Sequence, residues 1–198
     1  GLRVDVHCDE TDDGASHHVE TLAERTLRFG LEGRVSASHT TSLHSAENAW
    51  FAKLLPLLAE ADLTVIPNPL INLTLQGRFD SYPKRRGITR IPELMEGGVR
   101  VAFGQDCVRD PWYPLGTGNL LDVAHMTAHA CHLIGADQRD SLLPPITRNP
   151  AESMGLVGYR LREGEPAHLL VFEEESFSEL LRLRPKPARI LRAGKVLR

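Results

Sequence analysis

Apolar and polar positions follow two periods along this chain. Residues 2–7 alternate and are rich in β-branched side chains, which predicts a short strand. Asp12, Asp13 and Ser16 then supply helix-start chemistry. Val19, Leu22, Ala23, Thr26 and Leu27 recur at helical spacing until Gly30 and Gly33 close the segment. A second strand is expected at 34–38. From Ser45 onward, Ala46, Ala49, Trp50, Leu54, Leu57 and Leu58 share a helical face, with Pro56 inside it to kink or restart the helix. A third strand, 63–66, is stopped by Pro67 and Pro69, and a long polar loop follows over 72–89. A short helix at 91–95, a fourth strand at 99–103, a loop to Gly118 and a helix at 119–133 complete the pattern.

Strand followed by helix, four times over, predicts an α/β architecture with parallel strands and right-handed crossovers. After about residue 150 the pattern changes to short apolar strands (169–172, 188–191, 195–197) separated by glycine, proline and acidic turns. The expected division is a catalytic α/β part over 1–150 and a β-rich appendage over 151–198.

Composition removes alternatives without naming a function. The 198 residues hold 23 basic and 26 acidic side chains and are 41% apolar, which is ordinary for a folded domain and excludes disordered and low-complexity classes. The net charge of −3 lacks the basic surplus of a nucleic-acid binder. No run of 18 apolar residues suits a membrane span. Three scattered cysteines (Cys8, Cys107, Cys131) without a CxxC favour a reducing, cytoplasmic setting. Asn72-Leu73-Thr74 is a formal glycosylation triplet, given no weight without a secretory signal.

Parallel α/β folds gather reactive residues at the carboxyl ends of their strands. Here those ends read His7-Cys8-Asp9-Glu10, Ser38-His39-Thr40-Thr41, Pro67-Asn68-Pro69 and Gly104-Gln105-Asp106-Cys107. Two histidines, a glutamate and an aspartate thus fall on one rim, in residue types that bind a divalent metal and move protons. Each also has a plainer reading, since Glu10 and Asp106 suit helix entry. A catalytic zinc usually takes three protein ligands, and His7 and Asp106 supply two. His125, His129 and His132 lie on one helical face, but Met126 follows His125 and breaks the zinc-protease pattern. His17 and His18 read as solvated. The run Lys84-Arg85-Arg86 with Arg90 reads as a solvated or subunit-contact loop in preference to a phosphate site.

Several segments resemble a known family: His7-Cys8-Asp9-Glu10, Ala37-Ser38-His39-Thr40-Thr41, Leu75-Gln76-Gly77-Arg78-Phe79-Asp80, the run from Tyr82 to Arg90, and Asp110-Pro111-Trp112-Tyr113-Pro114-Leu115-Gly116. Together they resemble the bacterial cytosine deaminases of the amidohydrolase superfamily. The resemblance implies the second half of a metal-dependent (β/α)8 TIM barrel, strands five to eight, with the C-terminal part of a small β-sandwich. By position it makes His7 and Asp106 metal ligands, Glu10 the proton shuttle to the pyrimidine ring nitrogen, and His39 a residue that helps activate water and polarise the site. Asp106 would also accept the proton of the attacking water. Trp112, with His39 and Cys107, would border the nucleobase substrate. The cofactor implied is one divalent metal, Zn²⁺ or Fe²⁺.

Two departures accompany the resemblance. Cys107 stands where these deaminases carry a second aspartate, so a neutral thiol replaces a carboxylate. That predicts tolerance of a 5-substituted cytosine such as 5-methylcytosine. The family's H-x-H metal pair has no counterpart here. The chain is therefore expected to be a carboxyl half that needs its N-terminal half for full metal binding, is inactive alone, and pairs with that half or forms a homo-oligomer. A non-catalytic half-barrel used for assembly and an amidohydrolase of another cyclic amidine stay open beside this reading.

Overall fold

The computed structural model describes residues 1–197. Its first sheet has four parallel strands in sequential order: β1 (Val4–Cys8), β2 (Val35–His39), β3 (Thr64–Ile66) and β4 (Arg100–Val101). The helix α1 (His18–Arg28) joins β1 to β2, and α2 (Asn48–Glu60) joins β2 to β3. The register aligns Asp5, Ser36, Thr64 and Arg100 in one row, and His7, Ser38 and Ile66 in the next. Side chains alternate across a strand, so these mostly polar residues share one face. The opposite face carries Val6, Cys8, Val35, Ala37, Val65 and Val101. It packs on Val19 and Ala23 of α1 and Leu54 and Leu58 of α2 in one continuous core. An apolar face under helices and a polar face away from them is the division that a barrel wall makes between its outside and its interior.

The expected alternation holds, with informative differences. Asp12, Asp13 and Ser16 do not start α1. Its first N–H groups are taken by Asp9, which accepts from the backbone of His18 (3.0 Å) and Val19 (2.8 Å) and from the Ser16 hydroxyl (2.6 Å). A carboxylate at that end also suits the helix dipole. A 3₁₀ turn, Thr41–His44, precedes α2. Pro56 lies within α2, and the helix continues through it to Glu60. Residues 69–75, part of which was expected to be loop, form α3 (Pro69–Leu75). Pro69 acts there as a first-turn residue, where its missing N–H is not needed.

Beyond α4 (Ile91–Glu96) and β4, the helix α5 (Leu120–Ala130) is followed by three short helices, α6 (Ala136–Asp140), α7 (Leu143–Ile146) and α8 (Arg148–Ser153). The last two close the free side of β4. Phe103 donates its N–H to Pro145 O (2.8 Å), and Asn149 Nδ2 donates to Val101 O (2.8 Å). The tail holds β5 (Leu169–Val171), α9 (Phe177–Leu183), β6 (Arg189–Arg192) and β7 (Lys195–Val196), with the strands in one antiparallel sheet. Ser176 caps α9 by accepting from Glu179 N (3.2 Å). The Ser-x-x-Glu spacing is a legible start signal that the strand-only reading of the tail passed over.

Candidate active site

Four residues predicted from three strand ends converge. His7 is on β1, Glu10 follows it, His39 ends β2, and Asp106 lies beyond β4. One potential ligand atom from each of His7, His39 and Asp106 lies within 4.8 Å of the others. Glu10 bridges the two imidazoles, with Oε2 3.7 Å from His7 Nδ1 and Oε1 3.3 Å from His39 Nδ1. The rings themselves sit 4.6 Å apart at a 52° tilt.

Backbone geometry explains how side chains from adjacent strands meet. Asp9, His39, Thr40 and Asp106 all have positive φ (51°, 71°, 47° and 61°). A left-handed residue at a strand end releases the following chain from the sheet's alternation and turns the rim inward. Such non-glycine conformations cost on the order of 1 kcal/mol or more each and persist where the surroundings impose them. The surroundings here are specific. Thr41 Oγ1 donates to the Asp9 carbonyl (3.2 Å) and Thr40 Oγ1 donates to Thr89 Oγ1 (3.0 Å).

The environments of the four differ. The His39 side chain is fully buried, while that of His7 is 65% exposed and that of Glu10 30%. Burial, opposed by the charges of Glu10 and Asp106, lowers the His39 pKa below its ordinary value and favours a neutral ring. Two asparagines hold that ring. Asn72 Nδ2 lies 3.0 Å from Nδ1, and Asn68 Nδ2 stands 3.5 Å from each ring nitrogen. Neither asparagine was singled out from the sequence. Asn68 stood in a strand end already marked as reactive, and Asn72 was visible only as a glycosylation triplet. Its complete burial beneath His39 makes it a structural partner of the site. Gly104 belongs to the same arrangement, because a Cβ there would come 2.1 Å from Asn68 Oδ1.

Cys107 borders the group through Asp106, with Sγ 3.6 Å from Oδ2. Partial burial, then the carboxylates of Asp110 and Asp106, push its thiol up to about 12, so it stays neutral. Trp112 stands on the loop that follows, 65% exposed. Gln105 accepts from Gly118 N through Oε1 (2.8 Å) and so ties the end of β4 to the approach of α5.

Other candidates resolve into structural roles. Asp9, not Glu10 or Asp106, is the helix-entry carboxylate. His17 is not simply solvated: it stacks on Trp50 at 3.5 Å and 9°. The basic run stays exposed, as expected of a solvated loop, but its side chains are tied down. Lys84 donates to Arg78 O, Arg85 to Asp80 and the Asp12 carbonyl, Arg86 to Ala130 O, and Arg90 to the Leu43 and Ala46 carbonyls. These contacts clamp the 76–90 loop to the adjoining layers. His125 takes up Leu181 O and Arg184 against the tail helix, apart from the rim cluster.

Donor set and spacing together suit a divalent cation. The His7 imidazole and the Asp106 carboxylate make a mixed nitrogen–oxygen pair, as zinc or ferrous iron takes, with His39 beside it. No helix among the described residues is long and apolar enough to cross a membrane.

Comparison with known proteins places this geometry. The chain is 34% identical over its whole length to a pterin deaminase of Rhizobium rhizogenes, covering 45% of that protein. It is 22% identical to N-isopropylammelide isopropyl amidohydrolase of Pseudomonas sp., over 98% of the chain and 45% of that enzyme. It superimposes on a crystal structure of 5-methylcytosine deaminase from Klebsiella pneumoniae liganded with 5-fluorocytosine, with a TM-score of 0.95 and 43% identity. That match covers 99% of this chain and 48% of the other. The chain thus spans about half the length of the curated relatives it matches. A model of the amidohydrolase family matches residues 1–197, through every element that carries the rim cluster. This chain belongs to the amidohydrolase family.

Proposed function

We propose that this chain forms the carboxyl half of a metal-dependent deaminase that hydrolyses the exocyclic amino group of cytosine or a 5-substituted cytosine, releasing ammonia. The observation that carries this reading is the convergence of His7, Glu10, His39 and Asp106 at one rim. The 43% identity to a 5-methylcytosine deaminase supports the substrate class. Residues 1–150 would then be barrel strands five to eight with their helices, and 151–198 part of a composite sandwich.

His7 and Asp106 would hold the metal, with His39 beside them as a hydrogen-bond donor. When bound, a divalent cation supplies Lewis-acid activation of water at neutral pH. Around it, this chain's residues perform proton transfers. Asp106 accepts the proton of the water that adds to the amino-bearing ring carbon. Glu10 delivers a proton to the adjacent ring nitrogen, the proton held by Asp106 passes to the amino group, and the C–N bond breaks to release ammonia while the remaining hydroxyl proton returns to Glu10 as the carbonyl forms. His39 steadies an oxygen of the reacting molecule by hydrogen bond. Cys107, held neutral, leaves room near the pyrimidine 5-position for a methyl group.

The N-terminal half of the barrel would contribute the remaining ligands and pair with the open edge of β1. The test joins this chain to the first half of the Klebsiella 5-methylcytosine deaminase and loads the product with Zn²⁺ or Fe²⁺. Ammonia release is expected from 5-methylcytosine and cytosine by the joined protein and not by the 198-residue chain alone. A folded, metal-loaded joined protein that deaminates neither base would sink the reading. Strong preference for plain cytosine, unchanged in Cys107→Asp, would remove the 5-substituent part of it.

A second reading has its own support. The pterin deaminase relative, 34% identical over the whole chain, is named for the deamination of a different nitrogen heterocycle. Pterin in the same assay separates the two.

A further inference from the structure

His39 is wholly buried, so each ring nitrogen must find its partner within the protein or in a bound molecule. Its neighbours fix which nitrogen bears the proton. The backbone N–H of Asn68 can only donate, and it lies 3.3 Å from Asn72 Oδ1. This contact orients the Asn72 amide, with its oxygen toward Asn68 and its nitrogen toward His39 Nδ1 at 3.0 Å. An amide NH₂ group has no lone pair to offer, so Nδ1 is the acceptor and carries no proton. The ring proton of His39 is then on Nε2.

Nε2–H finds no acceptor nearby. Asn68 Nδ2 is equidistant from both ring nitrogens at 3.5 Å, is itself a donor, and is directed to Ile66 O at 3.4 Å. No oxygen accepts from Nε2 among the described residues. A buried donor without an acceptor is costly, on the order of 1–3 kcal/mol, unless a ligand completes it.

We infer that Asn72 is a positioning residue that sets the tautomer of His39, so that Nε2–H is the hydrogen-bond donor offered to an oxygen of the reacting molecule. The identity of that molecule rests on the deaminase reading; the tautomer does not. A second consequence concerns Glu10. Its Oε1 is 3.3 Å from the same Nδ1, where it would accept a proton if Nδ1 carried one. Asn72 Nδ2 is nearer to Nδ1, at 3.0 Å, and by donating there it keeps the Glu10 carboxylate from being spent on His39 and leaves it free to carry a proton to a substrate ring.

The test is long-range ¹H–¹⁵N spectroscopy on the chain labelled at histidine nitrogen, with the His39 signals assigned by their loss in His39→Gln. The unmodified chain is expected to show protonated Nε2 and unprotonated Nδ1. Asn72→Asp replaces the donor with an acceptor and is expected to move the proton to Nδ1, and Asn72→Ala to give a mixture. In the joined protein described above, Asn72→Asp is expected to lower kcat about 10²-fold, as loss of an oriented donor does. KM should move only by about threefold. Protonated Nδ1 in the unmodified chain would overturn the inference whatever the activity, and so would an Asn72→Asp spectrum identical to it. The expected spectra with no base deaminated would keep the inference and remove the deaminase reading.

Discussion

Strands β1 and β2 are hydrogen-bonded neighbours of equal length, yet every residue of β2 is buried while β1 fully buries only Cys8. Their site residues follow suit. His39, on β2, is held by Asn68 and Asn72 and fully buried, and His7, on β1, is open to solvent. Both strands alternate over five residues and start with valine, and the difference follows their positions in the sheet. β2 has a strand on either side and helices over its apolar face. β1 has one neighbouring strand, and its other edge is unpaired among the described residues. One wall of the site is therefore finished by this chain and the other is left open. An unpaired edge of this kind invites a partner strand.

Five substitutions or conditions break or sharpen that contrast. The largest effect is expected in the finished wall, where Leu58→Ala should cost about 3 kcal/mol in urea unfolding, because Leu58 is wholly buried and its removal leaves a cavity. Asp9→Ala should cost about 2–3 kcal/mol, since two helix N–H groups and a hydroxyl lose their charged acceptor. Together, similar losses in these two variants would show that the rim is anchored as firmly as the core. Next, Gly104→Ala should cost about 1–2 kcal/mol by driving a methyl group into Asn68. It should also perturb the His39 resonances, which a purely local strain would leave alone.

A pH effect comes fourth. His44 lies under the finished wall, and burial lowers its pKa below the ordinary 6.5 despite its hydrogen bond to Asp12. Below about 6.5 the unfolded chain takes up a proton there that the folded chain refuses. Stability is thus complete above that pH and falls as pH drops toward the lowered folded value. Urea melts at pH 7.5 and 5.5 should show the loss, and His44→Gln should reduce it. The smallest effect belongs to the open edge. Val4→Ala should change stability by no more than about 0.5 kcal/mol. A loss comparable with that of Leu58→Ala would show β1 to be covered, for instance by a second copy of the chain.

The rim residues were legible because parallel sheets place strand ends together, a rule that needs only strand order. His7, Glu10, His39 and Asp106 follow from it directly. What surrounds them was not legible. Asn72 reaches His39 across 33 residues of sequence through a helix whose start was hidden by Pro69, which reads as a stop and acts as a first turn. Asp9 was eclipsed by Glu10 beside it, because two adjacent carboxylates cannot be told apart without knowing which one the backbone turns inward. The arginines of the 76–90 loop had the composition of a ligand site, and only tertiary contacts show that Arg85 is engaged by Asp80 and that Arg86 and Arg90 bond to backbone carbonyls. The three short helices between 136 and 153 carry little periodicity in four to six residues each.

The left-handed residues at the strand ends have a further consequence for engineering. Asp9, His39, Thr40 and Asp106 are held in backbone conformations that glycine and asparagine tolerate best. Substitutions chosen for thermal robustness alone would drift toward those two residues here and would erase the chemistry in doing so. Selection for heat resistance and selection for turnover thus pull in opposite directions at this rim, and a variant library scored on melting temperature should exclude these four positions.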